Sequence, residues 1–279
     1  MRRWNNEIVN LKMACRMMRK RDYPFLSAKQ VIKQAVEKHG DHLSIGWSGG
    51  RCSTVALHIA MQYKPDIKAV YCNTGIEFPE NVTYVHDVAK QWSVNLSEVH
   101  PDTTFWKIVE EHGMPSFRSF GSDRQKKRGK AKRGETKDRR PFCCHLLKEA
   151  PRYKWYKENE ITGDITGLRA CESKVRAVVI GQKGMIYTPQ REPALECYHP
   201  ISLWSDRKML AYLKEHGIPD NPVYETQTRN GCWACTAYKG WQTNIKKYNP
   251  KMYELLQHKK GVMLMDDYIP DLGPCEELS

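Results

Sequence analysis

Two groups of residues in this chain have the types and spacing that chemistry needs: a Ser-Gly-Gly turn flanked by hydroxyls, and two close cysteine pairs. The stretch Ile45-Gly46-Trp47-Ser48-Gly49-Gly50-Arg51-Cys52-Ser53-Thr54 sets a glycine pair between an apolar run and a helical pattern. Glycines at such a turn let backbone N–H groups converge on an anion. The hydroxyls of Ser48, Ser53 and Thr54 add donors, and the helix that follows presents its positive end. The loop is not a Walker A motif, because G-x-x-x-x-G-K-[ST] is absent. A strand-Gly-Gly-helix turn is also ordinary packing, so residues from elsewhere have to support the assignment. Thr74, Gly75 and Glu77, within Asn73 to Glu80, follow a second apolar run. Gly167 to Arg176 follows another, and its Arg169 and Arg176, with Glu172 between them, can pair phosphate or sulfate oxygens bidentately. Ligands of open α/β sheets bind outside the carboxyl ends of the strands, where such segments gather.

The second group is Cys143-Cys144 with Cys232-x-x-Cys235. Structural zinc sites use spaced cysteine pairs on both sides, because adjacent residues reach one ion poorly. Adjacent thiolates can instead reach two different irons of a [4Fe–4S] cluster, whose ligation four cysteines complete. A cluster suits the spacing best, with zinc and buried or redox-active thiols as competing readings. Cys15, Cys52, Cys72, Cys171 and Cys197 read as small interior residues. Cys52 also lies near a helix N-terminus, which favours a thiolate. Cys275 follows Gly273-Pro274 in a terminal tail of the kind that stays mobile, with Glu276 and Glu277 raising its thiol pKa.

The elements that position these residues alternate in type. His42 to Trp47, Ile67 to Cys72, Val94 to Val99 and Ile161 to Thr166 read as strands. Val55 to Tyr63, Val82 to Trp92, Phe105 to His112, Cys143 to Tyr156 and Ser205 to His216 read as helices. Strands alternating with helices predict a Rossmann-like α/β fold, a parallel sheet flanked by helices. Residues 1–40 are expected to form an N-terminal helical segment, in which 27–39 are a helix capped by Ser27 and 1–24 show no clear period. Residues 41–220 are expected to form the nucleotide-binding domain, with an irregular stretch from about 167 to Pro200. Residues 221–279 are expected to form a small Cys- and aromatic-rich appendage.

A chain of 279 residues can bury the core of such a domain. Its net charge of +13 is concentrated: residues 118–140 hold eleven Lys/Arg against three Asp/Glu. This basic loop can close over phosphates or touch nucleic acid, or it is simply a solvated surface. Ten cysteines without an apolar leader after Arg2-Arg3 point to a cytoplasmic protein with metal or thiol chemistry, and no apolar run reaches membrane-spanning length.

In the order of its motifs the chain resembles the phosphoadenylyl-sulfate and adenylyl-sulfate reductase family, within the PP-loop adenine nucleotide α-hydrolase-like superfamily. The resemblance covers roughly residues 27–240. It rests on S-G-G-x-x-S from Ser48, N-T-G-x-E-F-P-E from Asn73, C-C-x-x-x-K-x-x-P from Cys143, G-x-R-x-x-E-S-x-x-R from Gly167, P-I-x-x-W from Pro200 and G-C-x-x-C from Gly231. The resemblance implies an adenine nucleotide site, with Arg51, Lys148, Arg169 and Arg176 holding sulfate and phosphates. It also implies a [4Fe–4S] cluster on Cys143, Cys144, Cys232 and Cys235, and thiol-dependent reduction of adenylylated sulfate (PAPS or APS) to sulfite. In that reading Cys275 is the nucleophile and a thioredoxin- or glutaredoxin-like protein is the reductant. The chain departs from the family at Arg51-Cys52, where relatives commonly carry Lys-Asp, and at Asn73, where they carry Asp. Lost carboxylates weaken a Mg²⁺ site, which bears on the alternative of an ATP pyrophosphatase that adenylates tRNA or the DNA backbone for sulfur transfer. A non-catalytic nucleotide-binding module is the third reading.

Overall fold

Apolar residues alternate along short central strands. In β1 (Leu43–Gly46) Leu43 and Ile45 enter one core. In β2 (Lys68–Cys72) Ala69 and Tyr71 join them, while Val70 packs on the opposite face beside Trp155 and Tyr156. Strands buried on both faces need helices on both sides, and the computed structural model shows that arrangement for residues 2–112, 142–190, 193–236 and 241–264, the residues it describes.

The sheet has six strands in the order β3-β2-β1-β4-β6-β5, with β3 (Leu96–Val99), β4 (Gly163–Ile165), β5 (Ile186–Tyr187) and β6 (Glu196–Tyr198). Ile45 lies opposite Ala69 on one side and Ile165 on the other. All pairings are parallel except β5 with β6. A purely parallel sheet is therefore corrected at one edge. The connection from Tyr187 to Glu196 is shorter than the dozen or so residues a parallel crossover needs.

The helices are α1 (Arg2–Arg19), α2 (Ala28–His39), α3 (Arg51–Met61), α4 (Pro79–Trp92), α5 (Phe105–His112) and α6 (Phe142–Cys144). The last runs on through a π-helical stretch, His145–Glu149, into α7 (Ala150–Glu158). After these come α8 (Lys174–Lys183), α9 (Asp206–Glu215), α10 (Val223–Thr226), α11 (Trp241–Tyr248) and α12 (Pro250–Leu264). Ser27 caps α2 in a reciprocal box with Gln30, and Ala28, Val31, Ile32 and Ala35 form its buried stripe.

Two expectations fail. Residues 1–24 are not aperiodic, because α1 lays Leu11, Ala14 and Met18 against the core along α8; Ile8 and Val9, 49% and 60% exposed, blur the period. The stretch from 167 to 200 is not irregular either. It holds a 3₁₀ turn (Ala170–Glu172), α8, β5 and β6, and Val175, 70% exposed, disguises α8. The C-terminal segment shares a core with earlier elements: Ala234 and Leu256 pack with Ile76, Phe105, Ile108, Val109 and Leu147. The basic loop 118–140 and Cys275 lie outside the described residues. Among the described residues no helix is long and apolar enough to cross a membrane.

Candidate active site

The chain leaves β1 outward to β2 and β3, then returns to β4 on the other side of β1. That reversal places the switch point, where open α/β sheets bind ligands, beside the loop that follows β1. Gly49 has φ +73, and a Cβ there would lie 2.3 Å from Asn81 Oδ1, so only glycine fits. The loop's carbonyls are all taken by the protein. Asn230 Nδ2 donates to Ser48 O (3.0 Å) and Asn221 Nδ2 to Gly49 O (2.9 Å), while the hydroxyls of Ser53 and Thr54 donate to Gly50 O (2.9 and 3.1 Å). The negative ends of three successive peptides are thus turned inward, and α3 begins at Arg51 after Gly50, which has no side chain to cap it. Within the loop the Ser48 N–H donates to Ser53 Oγ (3.2 Å) and the Gly50 N–H to Ser48 Oγ (3.4 Å). Ser48 Oγ lies 3.1 Å from Ser53 Oγ. Thr54 also accepts from Trp47 Nε1 (3.0 Å) and is fully buried, so it braces the loop from behind.

Arg51, the first residue of α3, puts Nε 2.7 Å from Asp220 Oδ1 and Nη2 on Asp220 Oδ2, with its guanidinium 4.0 Å from the Tyr224 ring centroid. The Tyr224 hydroxyl accepts the Arg51 backbone N–H at 3.4 Å. Asn81 Oδ1 accepts from both Asn221 and Asn230 (2.7 Å each).

After β2, Thr74 Oγ1 donates to Glu77 Oε1 (2.9 Å), Asn73 Oδ1 accepts from the Gly75 N–H (3.1 Å), and Lys148 Nζ lies 3.3 Å from Glu77. The π-helical stretch carries Lys148, and such bulges recur at functional sites. Cys232 meets the same residues: its Sγ lies 3.7 Å from Glu77 Oε1 and 3.8 Å from Thr74 Oγ1, and Trp233 N donates to Ile76 O (2.9 Å). Burial pushes the Cys232 thiol up to about 11, against the pull of Lys148. For Lys148 burial acts downward, but Cys232 and Glu77 outweigh it and hold the ammonium above its usual value. Cys143 is raised by its hydrogen bond with Cys144, by burial, and by the charges of Cys144, Cys235 and Cys232, and it packs with Cys232 against the same apolar cluster. The nine described cysteines form no disulfide among the described residues.

After β4, Gly167 runs against the start of α3, where a Cβ would lie 2.5 Å from the Cys52 carbonyl carbon. Arg169 is 3% exposed and donates to Cys52 Sγ (3.1 Å), Trp204 O (3.4 Å) and Asp206 Oδ1 (2.6 Å). Arg176 pairs with Glu172 and is the more open of the two arginines. Glu7, Cys171 and Asp206 are the one trio of metal-competent side chains among the described residues whose ligand atoms lie within 4.8 Å of one another. Glu7 there accepts the Asp206 N–H (2.5 Å) at the start of α9, and Arg169 neutralises Asp206, which accounts for the trio without an ion.

The structure therefore gathers Ser48, Gly49, Gly50, Arg51, Ser53, Thr74, Gly75, Glu77, Lys148 and the four cysteines around the carboxyl ends of β1 and β2. Arg169, Glu172 and Arg176 lie across α3 at the end of β4. Sequence reasoning missed Asn81, Asp220, Asn221, Tyr224 and Asn230. Asp220-Asn221-Pro222 reads as a turn after a helix, and nothing in its spacing announces that it folds back onto the glycine loop.

Residues 42–238 match the family model described as the phosphoadenosine phosphosulfate reductase domain. An uncharacterised protein of Methanocaldococcus jannaschii is 28% identical over 228 residues, covering 80% of this chain and 42% of the relative, so the chain spans less than half of that protein. A phosphoadenosine 5′-phosphosulfate reductase of Xylella fastidiosa is 26% identical over 206 residues, covering 72% of this chain and 74% of the relative. An adenosine 5′-phosphosulfate reductase of Salinibacter ruber is 24% identical over 210 residues, covering 75% and 73%. The crystal structure of phosphoadenylyl-sulfate reductase from Candida auris in a phosphate complex shares the fold, with a TM-score of 0.54 and 19% identity over 75% of this chain and 89% of that one. The matched segment runs from the residue before β1 past Cys235 and takes in both motif groups, and on that match the chain belongs to the phosphoadenosine phosphosulfate reductase domain family.

Proposed function

We propose that the chain is a reductase that cleaves adenylylated sulfate to sulfite, using the loop after β1 for the nucleotide and the four cysteines for a [4Fe–4S] cluster. The observation that carries this reading is the contact of Cys232 with Thr74 and Glu77, and through Glu77 with Lys148. It sets the thiol group against the anion-binding segment after β2. The donor set fits a cluster: a single zinc ion, with Zn–S near 2.3 Å, holds thiolates about 3.8 Å apart. No three of these sulfurs are among the described trios within 4.8 Å. When bound, such a cluster supplies iron–thiolate charge that ties the CC and CxxC segments together. Arg51 and Lys148 supply fixed positive charge for the phosphate and sulfonate oxygens, and the loop amides supply N–H donors.

In the reaction a thiolate attacks the sulfonate sulfur, an S–S bond forms, the S–O bond to the phosphate breaks and the nucleotide leaves. A dithiol of the thioredoxin or glutaredoxin class then attacks the enzyme sulfur and expels sulfite. Its second thiol resolves the mixed disulfide, so the dithiol is oxidised as the sulfonate is reduced. Cys275 takes the first step on the strength of the resemblance, and its chemistry requires a tail that reaches the site and withdraws. Anaerobic purification with iron and sulfide analysis should give about four of each per chain. Incubation with APS or PAPS and a dithiol should release sulfite, and Cys275→Ser should abolish that release. Pyrophosphate from ATP without sulfite from either sulfate ester would refute the proposal in favour of an adenylating enzyme.

A further inference from the structure

We propose that Asp220 and Tyr224 are positioning residues that make Arg51 the site's fixed oxyanion-recognition cation, and so set the selectivity for the phosphoryl or sulfonyl end of the ligand. This rests on the reading of the loop after β1 as the anion site. The side edge of the guanidinium, Nε and Nη2, is spent on the two oxygens of Asp220, and its face lies 4.0 Å from the Tyr224 ring centroid. A guanidinium has five N–H donors, so the end edge formed by Nη1 and the outer N–H of Nη2 is left for a ligand, and two oxygens of a tetrahedral oxyanion match that fork. A long side chain held beforehand by a carboxylate and an aromatic platform loses less freedom when the ligand arrives.

The same segment fixes where the cation stands relative to the loop amides. Between Pro219 and Asn230 the chain accepts the Tyr84 hydroxyl at Pro219 O (2.8 Å), grips Arg51 through Asp220 and Tyr224, and holds Gly49 O and Ser48 O through Asn221 and Asn230. One strap thus sets both the cation and the peptides around it. A lysine at position 51 would offer a point charge with no fork for Asp220 to orient.

The test measures the affinities of the full chain for AMP and adenosine by calorimetry. Their ratio isolates the phosphate contribution, and adenosine binding reports an intact pocket. Asp220→Asn should reduce the preference for AMP about three- to tenfold, the range of one oriented charge-assisted contact, with adenosine affinity unchanged. In an Arg51→Lys background the same substitution should change the preference less than about twofold, since no fork remains to orient. Tyr224→Leu should also lower the preference, Tyr224→Phe should restore it, and this pair decides the matter if Asp220→Asn does not fold. An unchanged or increased preference for AMP in Asp220→Asn or Tyr224→Leu would overturn the proposal, as would an equal loss in the Arg51→Lys background. Equal binding of AMP and adenosine by the unmodified chain would instead overturn the reading of the loop itself.

Discussion

Gly49→Ala should destabilise the whole domain, whereas the same substitution at Gly50 should barely register. At Gly49 the backbone is left-handed (φ +73), which costs a residue with a Cβ about 1–2 kcal/mol. The new methyl would also sit 2.3 Å from Asn81 Oδ1 and 2.8 Å from Val85 Cγ2. Asn81 is fully buried and accepts from Asn221 and Asn230, so moving it leaves a buried donor unpaired at about 1–3 kcal/mol. The sum is about 2–5 kcal/mol, a fall in melting temperature of roughly 4–20 °C at about 2–4 °C per kcal/mol. Gly50 has φ −74 and its Cβ would meet the Tyr224 and Ser48 hydroxyls at 3.3 and 3.4 Å and Asn230 Nδ2 at 3.9 Å, all ends of side chains that can give, so Gly50→Ala should cost under about 1 kcal/mol. Thermal and denaturant melts of both variants decide the matter, with Gly49→Ala in an Asn81→Ala background as the coupling control, where the losses should add to less than their sum. Equal destabilisation at the two glycines, or a loss below about 0.5 kcal/mol at Gly49, would refute the packing argument, since ordinary surface changes already reach that size.

Other perturbations read different parts of the molecule. Burial alone would raise the Glu196 carboxyl, but hydrogen bonds from Lys38, Tyr198 and His39 bring it down to about 2 from 4.5. Its folded pKa is depressed, so its contribution is present above pH 4.5 and is lost as pH falls toward 2. Denaturant melts should show the stability gap between the unmodified chain and Glu196→Gln closing across that window, and a gap constant with pH would count against it. Lys148→Met strands the Glu77 carboxylate, whose side chain is 5% exposed, and should cost about 2–4 kcal/mol; the Lys148→Met/Glu77→Gln pair should cost less than Lys148→Met alone, as measured by urea midpoints. Cys232→Ser should lower bound iron and sulfide to a small fraction of the unmodified content after anaerobic purification, and full retention would remove that residue from the proposed ligand set.

The parts of this fold legible in the sequence are those where local pattern and tertiary role agree. The Ser27 box, the apolar stripe of α2 and the alternation through β1, β2 and β3 each state their outcome in a few adjacent residues. So does Gly49, because its turn needs a left-handed backbone that other residues resist. The α1 helix was obscured because apolar Ile8 and Val9 face outward, and β5 because a two-residue strand has too little length to show a period. In the site, motif residues were readable from type and spacing, but their supports were not. Asn221 and Asn230 act on carbonyls 172 and 182 positions away, and no local signal encodes a partner at that distance. The same limit hid the committed state of Arg169, whose donors are taken by Cys52, Trp204 and Asp206.

The close passage of Gly167 over Cys52 has a consequence for motion. With no side chain between them, the segment following β4 and the first turn of α3 are in main-chain contact, so they have no slack with which to part or slide independently. The residues beyond β2 are tied in the same way, through the main-chain bond from Trp233 N to Ile76 O (2.9 Å), so the crevice is held by peptide contacts on both of its sides.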